Sequence, residues 1–171
     1  MIKLPVFLIG FMASAKSTIG RKMANRMNCE FIDLDEYIES KEGKSISKIF
    51  SKKGESFFRK IESEALKEVA EKKAVIALGG GAFISFENRT LIKASGQSVF
   101  LDVTPSVLIG RLKKERSKRP LIADLNNVEL SDFVRKTLEE RRSFYEEADF
   151  IVKTNKPTIK EILMLLEKEV G

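Results

Sequence analysis

Short apolar runs alternate with longer amphipathic stretches along most of this chain. The apolar runs predict five buried strands, which cover residues 4–9, 30–34, 74–78, 98–103 and 150–153. Their nearly continuous apolar character is typical of parallel strands that are covered on both faces. The pattern therefore predicts an α/β fold, in which one parallel sheet lies between two layers of helices.

Apolar residues at helical spacing predict helices between most of these strands. The helices are predicted over residues 16–27, 36–42, 45–51, 56–72, 128–147 and 158–170, and Thr104 with Pro105 predicts the start of another. A polar, strongly basic stretch at residues 113–120 follows that helix and continues to residue 127 without a clear pattern. Such a stretch is typical of a lid over a ligand site.

Length and composition indicate one domain. The 171 residues, of which 43% are hydrophobic, fit a single core over residues 1–171. No apolar run reaches the roughly 20 residues that span a bilayer, and no cleavable signal precedes the first strand. Cys29 is the single cysteine, so an internal disulfide is excluded. We therefore expect a cytoplasmic protein with no membrane partner, and we expect a monomer.

Charge and the lack of histidine narrow the possible chemistry. Because the chain contains no histidine, proton transfer falls to carboxylates or lysines, and the expected metal is a hard cation such as Mg²⁺. The net charge of +6 favours anionic partners. The basic residues are interleaved with acidic ones and are not grouped with aromatic residues, so a nucleotide and a small acid fit better than nucleic acid.

The first strand runs into a near-complete phosphate-binding loop. Gly10, Lys16 and Ser17 match the pattern G-x-x-x-x-G-K-[ST], in which backbone N–H groups at a helix N-terminus surround phosphates. The alternative is a tight turn with a solvated lysine in another kind of α/β protein. Ala15 stands where the pattern has glycine, so we expect backbone strain of about 1–2 kcal/mol and crowding of the phosphates by its methyl group. Ala13 occupies a formally variable position, and we expect less effect there.

Further polar residues and glycines follow the second and third strands. Asp33 and Asp35 follow the second strand, and Gly79, Gly80 and Gly81 follow the third. Ligands of open α/β sheets bind at the carboxyl ends of the strands, so these residues and the loop indicate one site. Asp35 could instead cap the helix predicted from residue 36, and the glycines could form only a flexible turn.

Several arginines could complete such a site, but the residues alone do not decide among them. Arg59 lies on a predicted helix near Glu62 and could form only a surface ion pair. Arg119 lies in the predicted lid, where a cation could meet a transferred phosphoryl group. Arg141 and Arg142 lie on a helix rich in glutamate, and either could face a ligand.

Taken together, these motifs resemble those of the shikimate kinases over essentially the full chain. The matching residues are Gly10, Phe11, Met12, Ser14, Lys16, Ser17, Thr18, Ile19, Gly20, Phe31, Ile32, Asp33, Leu34, Asp35, Ile49, Phe50, Gly54, Glu55, Phe58, Arg59, Glu62, Gly79, Gly80, Gly81, Arg119, Pro120, Leu121, Glu140, Arg141 and Tyr145. The resemblance implies the P-loop fold of nucleoside monophosphate kinases, with strand order 2-3-1-4-5 and a mobile lid at about residues 113–127. It implies acceptor-binding helices at about residues 34–61. The implied reaction moves the γ-phosphoryl group of ATP to the 3-hydroxyl of shikimate, a step of chorismate and aromatic amino acid biosynthesis.

On the nucleotide side, the resemblance implies that Lys16 and the loop amides hold the β- and γ-phosphates of ATP, the co-substrate. Arg119 of the lid would meet the phosphates, and Arg111 with Pro157 would lie beside the adenine. The implied nucleotide-binding residues are Ala13, Ser14, Ala15, Lys16, Ser17, Thr18, Arg111, Arg119 and Pro157. The implied ligands of Mg²⁺ are Ser17 and, through water, Asp33.

On the acceptor side, the resemblance implies that Asp35 accepts hydrogen bonds from shikimate hydroxyls and takes the proton of the attacking one. Arg59 and Arg141 would bind the shikimate carboxylate, and Arg141 is chosen because the family arginine lies four residues before the tyrosine matched by Tyr145. The implied acceptor-binding backbone is that of Gly79, Gly80 and Gly81, and the implied catalytic residues are Lys16, Asp35 and Arg119.

The chain departs from the family pattern at Ala13 and Ala15, where the family has glycine. These departures concern nucleotide affinity and turnover, and they leave the fold and the acceptor site unaffected. Two alternatives therefore stay open at this stage. One is a shikimate-binding protein that is impaired in phosphoryl transfer, and the other is a kinase of the same fold that acts on another small polyol acid such as gluconate.

Overall fold

The centre of the molecule is a parallel sheet of five strands in the order β2-β3-β1-β4-β5. The structure is a computed structural model that describes residues 2–119 and 121–168. The strands are β1 (Val6–Ile9), β2 (Glu30–Asp33), β3 (Ala74–Ala77), β4 (Gln97–Asp102) and β5 (Phe150–Lys153). This order confirms the one that the family resemblance implies. Because β1 pairs with both β3 and β4, the loop after β1 lies at the middle of the carboxyl edge.

Helices cover both faces of the sheet, as the sequence predicts. They are α1 (Lys16–Met27), α2 (Leu34–Glu42), α3 (Ile46–Ala70), α4 (Phe86–Ser95), α5 (Pro105–Glu115), α6 (Asn127–Tyr145) and α7 (Ile159–Lys168). The side chains of β1 alternate between two hydrophobic clusters, with Phe7 and Ile9 in one and Val6 and Leu8 in the other. The three-layer arrangement follows from this alternation. Among the helices of the described residues, none combines the length and the apolar character needed to cross a bilayer.

The helices predicted between residues 36 and 72 begin and break at different points from those predicted. α2 begins at Leu34 instead of residue 36, because the Asp33 side chain accepts the Asp35 N–H at 3.1 Å and caps the helix. The two helices predicted over residues 45–51 and 56–72 are joined in α3, which is broken at Gly54. Gly54 has φ 79° and ψ 173°, a conformation that is open almost only to glycine.

The helix α4 is absent from the sequence prediction. Its buried positions are Asn88, Arg89 and Ile92, so no apolar stripe marks it. The polar groups on this face bond to the chain that precedes the helix and, through Arg89, to Glu147 at 3.1 Å. Asn88 Nδ2 donates to the Ala82 carbonyl at 2.9 Å, and Arg89 donates to the Phe83 carbonyl at 3.1 Å. A helix that buries polar side chains in this way cannot be recognised from hydrophobic spacing.

The basic stretch that was predicted to be irregular begins inside a helix. α5 continues to Glu115, and a 3₁₀ turn over Arg116–Lys118 follows it. Lys113 and Lys114 lie in the last turn of α5, where cations interact favourably with the helix dipole. Pro120 of the predicted lid, residues 169 and 170 of the predicted last helix, and both terminal residues lie outside the described residues.

Candidate active site

The loop between β1 and α1 holds its shape through close packing. A Cβ atom at Gly10 would lie 2.7 Å from Ser14 Oγ and 3.0 Å from the Leu101 carbonyl oxygen, so no side chain fits there. Ser14 is almost fully buried, and its N–H donates to the Phe11 carbonyl at 3.2 Å. α1 begins at Lys16. The first N–H groups of a helix have no partner within it, so they are available to an anion at this edge of the sheet.

Two alanines of this loop adopt the left-handed conformation. Ala13 has φ 62° and Ala15 has φ 73°. For a residue with a Cβ atom this conformation costs about 1–2 kcal/mol. The unfavourable backbone conformation predicted at Ala15 is present, and Ala13, where less effect was predicted, adopts the same conformation. Ala13 packs against the hydrophobic cluster that contains Phe7, and Ala15 packs against the one that contains Leu8. These apolar contacts offset part of the strain.

The Lys16 ammonium group is folded back onto its own loop. Its Nζ donates to the Gly10 carbonyl at 2.7 Å and to the Phe11 carbonyl at 2.9 Å. Burial lowers the pKa of Lys16 to about 8, and the negative charges of Asp35 and Asp33 oppose part of this shift. Since hydrogen bonds between charged groups are stronger than those to neutral carbonyls, a polyanion in the loop would be a better partner for this lysine.

Asp33 ends β2 beside the start of α1. The Ser17 hydroxyl donates to the Asp33 carboxylate at 2.6 Å. The same carboxylate caps α2, so the alternative that gave this role to Asp35 is wrong. A hydroxyl and a carboxylate next to a phosphate loop are oxygen donors of the kind that Mg²⁺ prefers. The pair therefore fits a magnesium ion that is held together with a nucleotide.

The Asp35 carboxylate lies against the triple glycine. A Cβ atom at Gly79 would lie 2.8 Å from Asp35 Oδ1 and 3.3 Å from Glu62 Oε2, so a side chain would collide with the carboxylates. Burial, together with the charges of Asp33 and Glu62, raises the pKa of Asp35 to about 6. A carboxylate with this pKa can accept a proton from a hydroxyl group at neutral pH.

Arg59 on α3 is held by a buried carboxylate. Its Nη1 donates to Glu62 Oε1 at 2.8 Å, and Glu62 is only 1% exposed. This pair is therefore different from an ordinary surface ion pair. Burial raises the pKa of Glu62, and the charge of Arg59 opposes that shift. A Cβ atom at Gly81 would lie 2.5 Å from Arg59 Nη2, so the guanidinium lies directly against the glycine turn.

Two neighbouring arginines of α6 point to different partners. A Cβ atom at Gly80 would lie 3.0 Å from Arg141 Nη1, which places this guanidinium at the triple glycine. Arg142 instead donates to the Asp102 carboxylate at 3.1 Å. Tyr145 is fully buried, and its hydroxyl donates to the Gly80 carbonyl at 2.5 Å. The tyrosine therefore fixes the glycine turn, against which the Arg141 guanidinium lies.

Two further arginines lie on the other side of the phosphate loop. Arg111 donates to the Ala13 carbonyl at 2.8 Å and to the Asn155 carbonyl at 2.7 Å. It therefore links the loop to the turn that follows β5. Arg119 donates to the Glu115 carboxylate at 2.7 Å. Both guanidinium groups thus have partners within the chain, and both residues line the cavity described next.

A cavity of about 740 Å³ connects these elements at the carboxyl edge of the sheet. The predicted site residues that line it are Ala13, Ser14, Ala15, Lys16, Ser17, Thr18, Asp33, Asp35, Gly79, Gly80, Arg111 and Arg119. Arg59, Gly81 and Arg141 are outside this lining. Arg141 lies against Gly80, which lines the cavity, and Arg59 lies against Gly81, the next residue of the turn. Pro157 lies outside this lining, in the turn after β5.

Three residues contribute to the site without a predicted role. Glu62 holds Arg59, Glu115 holds Arg119, and Tyr145 holds the glycine turn. Helical spacing marks both glutamates as neighbours of their arginines, but pairs at this spacing are common on exposed helix surfaces. The contact of the tyrosine joins distant parts of the chain, so spacing gives no signal for it.

Comparison with known proteins gives consistent matches over nearly the whole chain. The family model described as shikimate kinase matches residues 12–169. A shikimate kinase of Aquifex aeolicus is 43% identical over 170 residues, which cover 95% of each chain. The crystal structure of the shikimate kinase of Bacteroides thetaiotaomicron has a TM-score of 0.90 at 35% identity, with 98% of each chain covered.

A second solved structure carries a ligand. The shikimate kinase of Acinetobacter baumannii in complex with shikimate has a TM-score of 0.84 at 32% identity, and the match covers 96% of this chain and 91% of that one. The family model, the sequence relatives and the solved structures therefore agree with each other and with the geometry of the site. This chain belongs to the shikimate kinase family.

Proposed function

We propose that this chain transfers the γ-phosphoryl group of ATP to the 3-hydroxyl group of shikimate. The observation that carries this proposal is the position of Asp35. This residue lines the same cavity as the phosphate loop, and its carboxylate lies against Gly79. A donor in the loop and an acceptor on the glycine turn would meet at this carboxylate. The family relationship supports shikimate as the acceptor.

On the donor side, the backbone N–H groups of residues 13–18 would surround the β- and γ-phosphates of ATP. Lys16 would leave its loop carbonyls for the phosphate oxygens, because the new hydrogen bonds would join opposite charges. Arg119 would leave its carboxylate partner for the phosphates in the same way. Arg111 and Pro157 would lie beside the adenine.

Mg²⁺ would be held by the hydroxyl and carboxylate oxygens at the start of α1. Ser17 would be a direct ligand, and Asp33, 2.6 Å away, would act through water. When bound, the ion would neutralise negative charge on the phosphate oxygens. ATP would thus be the co-substrate, and Mg²⁺ the metal cofactor.

On the acceptor side, Asp35 would orient the attacking hydroxyl group and take its proton. The hydroxyl oxygen forms a bond to the γ-phosphorus, the bond from that phosphorus to the bridging oxygen breaks, and ADP leaves. Arg59 and Arg141 would bind the shikimate carboxylate, and the backbone of residues 79–81 would complete the site. Catalysis would rest on positioning and charge neutralisation, with no covalent enzyme intermediate.

The wider assignment follows from this reaction, which is a step of chorismate and aromatic amino acid biosynthesis. We place it in one kinase domain over residues 1–171, with acceptor-binding helices at about residues 34–61 and a lid at about 113–127. A cytoplasmic location, a monomeric state and the lack of nucleic acid or membrane partners stay predictions from the sequence.

Incubation of the protein with ATP, magnesium and either shikimate or gluconate tests the proposal. We expect equal amounts of ADP and monophosphorylated shikimate by mass spectrometry, and no phosphorylated gluconate. Product from gluconate instead of shikimate would favour the alternative acceptor. Binding of shikimate without any turnover would favour the impaired binding protein.

The methyl ester of shikimate is a probe for the acceptor side, since it replaces the carboxylate anion by an uncharged ester that is larger by one methyl group. If Arg59 and Arg141 bind that carboxylate, the ester should bind about tenfold or more weakly than shikimate in calorimetry without nucleotide. Equal affinities would place the carboxylate away from these arginines.

A further inference from the structure

Arg116 joins the two ends of the connection between α5 and α6. It directly follows the last residue of α5, and its Nη1 donates to the Leu125 carbonyl at 2.8 Å. Its Nη2 donates to the side-chain oxygen of Asn127, the first residue of α6. One guanidinium group therefore ties the end of one helix to the start of the next.

The backbone between these helices forms a series of turns around Arg119. The Arg119 N–H donates to the Arg116 carbonyl at 3.0 Å, and the Ile122 N–H donates to the Arg119 carbonyl at 3.1 Å. The Leu125 N–H then donates to the Ile122 carbonyl at 3.3 Å, and Ile122 is fully buried in the core. Both backbone groups of Arg119 are thus bonded to residues that are themselves anchored.

From this arrangement we infer that Arg116 is a positioning residue for phosphoryl transfer, which fixes the α5–α6 connection so that Arg119 lies at the cavity. The inference rests on the proposed function, in which Arg119 meets the phosphates. Arg119 lines the cavity and Arg116 does not, so Arg116 acts through Arg119 and not on the substrate. The planar guanidinium can reach two oxygen acceptors at once, which the single ammonium group of a lysine does less well.

The start of α6 does not depend on Arg116. Asn126 caps this helix by accepting the N–H groups of Val128 at 2.9 Å and Glu129 at 3.0 Å. The Glu129 side chain completes the capping box by accepting the Asn126 N–H at 2.8 Å. Loss of the Arg116 side chain should therefore loosen the connection while both helices stay folded.

Steady-state kinetics of Arg116→Gln test this role. We expect kcat/KM for ATP to fall about tenfold, because Arg119 is misplaced, while KM for shikimate stays within about twofold. Arg116→Lys should recover only part of the loss, because lysine restores the positive charge but not the planar group that donates to two oxygen acceptors at once. Arg135→Gln, at an exposed position of α6, is the matched control and should stay within about twofold of the unmodified protein. An unchanged kcat/KM in Arg116→Gln would overturn the inference.

A double-mutant cycle with Arg119→Gln separates positioning from a general loss of stability. If Arg116 acts through Arg119, then Arg116→Gln should cause no further loss of kcat/KM when Arg119 is already replaced. A merely structural role predicts the same loss in both backgrounds. Additive losses would therefore overturn the inference.

Hydrogen exchange gives a readout that does not depend on activity. In Arg116→Gln, the N–H groups of Arg119, Ile122 and Leu125 should exchange about tenfold faster, while those of β1 stay protected. Unchanged exchange at these three groups would overturn the inference. Failure of the unmodified protein to phosphorylate shikimate would instead overturn the proposed function and leave the exchange result intact.

Discussion

The proposed acceptor and donor sides of the site differ in how their charged side chains are held. On the acceptor side, Arg59 already forms an ion pair of 2.8 Å with Glu62, whose side chain is 2% exposed, and Tyr145 fixes the glycine turn. On the donor side, Lys16 is bonded to its own loop, and Arg119 is bonded to the carboxylate of Glu115 at the end of α5. The acceptor side is therefore preorganised, whereas the donor side must exchange hydrogen-bond partners when a nucleotide binds.

Backbone strain follows the same division. The acceptor turn consists of glycines at positions where the side chains of Asp35, Arg59 and Arg141 leave little or no room for a Cβ atom. The donor loop instead carries Ala13 and Ala15 in the left-handed conformation. Close approach is thus achieved without strain on one side and with strain on the other. Substitutions on the two sides should therefore act separately, on KM for shikimate and on KM for ATP.

The largest effect is expected at Asp35, where the two sides meet. Asparagine keeps the shape of the side chain but cannot take a proton at neutral pH, so Asp35→Asn should lower kcat about 10²- to 10⁴-fold. Asp132→Asn, at an exposed position of α6 outside the cavity, is the matched control and should change kcat less than about twofold. A kcat within about tenfold of the original in the Asn variant would contradict the role of Asp35 as base.

The raised pKa of Asp35 predicts opposite trends for activity and stability. Because the base must be ionised, kcat/KM for shikimate should fall as the pH is lowered through about 6. The folded protein binds this proton more tightly than the unfolded chain, whose reference pKa is 3.8, so ionisation of Asp35 opposes folding. Its effect is absent below pH 3.8 and grows as the pH rises to about 6.

Asp35→Asn removes this penalty, so it should raise the free energy of unfolding at pH 7 by about 3 kcal/mol. Urea denaturation at pH 7 and pH 4 measures the effect, and the gain should be small at pH 4. A less stable Asn variant at pH 7 would show that the carboxylate is stabilised in the fold, and it would remove the physical basis for its raised pKa.

The fold could be predicted where hydrophobic spacing and burial agree. β1 is an uninterrupted apolar strand, and the position of its loop follows from its place at the centre of a parallel sheet. α4 could not be predicted, because Asn88 and Arg89 form its buried face and are satisfied by carbonyl groups of the preceding turn. The break at Gly54 likewise follows from one backbone conformation that the surrounding helical pattern conceals.

The candidate site shows the same limit at the level of single side chains. The pattern around Lys16 and the strand ends indicate which residues lie near each other. They do not decide whether Asp33 or Asp35 caps α2, because both are acceptable caps and only the side-chain geometry separates them. The buried position of Glu62 depends on how α3 packs on the sheet, so the sequence gives its spacing from Arg59 but not its burial.

Glu62→Gln tests the acceptor side alone. The change removes the buried charge that holds Arg59, so KM for shikimate should rise about tenfold while KM for ATP stays within about twofold. Glu55→Gln is the matched control, because Glu55 also contacts Arg59, at 3.4 Å, but is 68% exposed. Its effect on either KM should be less than about twofold, as for most exposed ion pairs. Equal increases in both KM values for Glu62→Gln would show that the two sides are not independent.

The smallest effect is expected from Ala15→Gly, which tests the donor side alone. Relief of the left-handed strain should stabilise the folded protein by about 1–2 kcal/mol. The greater conformational freedom of glycine in the unfolded chain should destabilise the folded protein by about 0.5–1 kcal/mol. The free energy of unfolding should therefore rise by about 0.5–1 kcal/mol, and KM for ATP should fall by about fivefold or less with KM for shikimate unchanged.

Ala94→Gly is the comparison variant, and it should lower the free energy of unfolding. Ala94 is exposed on α4, where glycine costs about 1 kcal/mol of stability relative to alanine. If Ala15→Gly destabilises the protein as Ala94→Gly does, the methyl contact of Ala15 with the core outweighs its backbone strain. A fall in KM for ATP of more than about 100-fold would mean that the methyl group blocks the phosphates directly, because backbone strain of 1–2 kcal/mol cannot account for a change of that size.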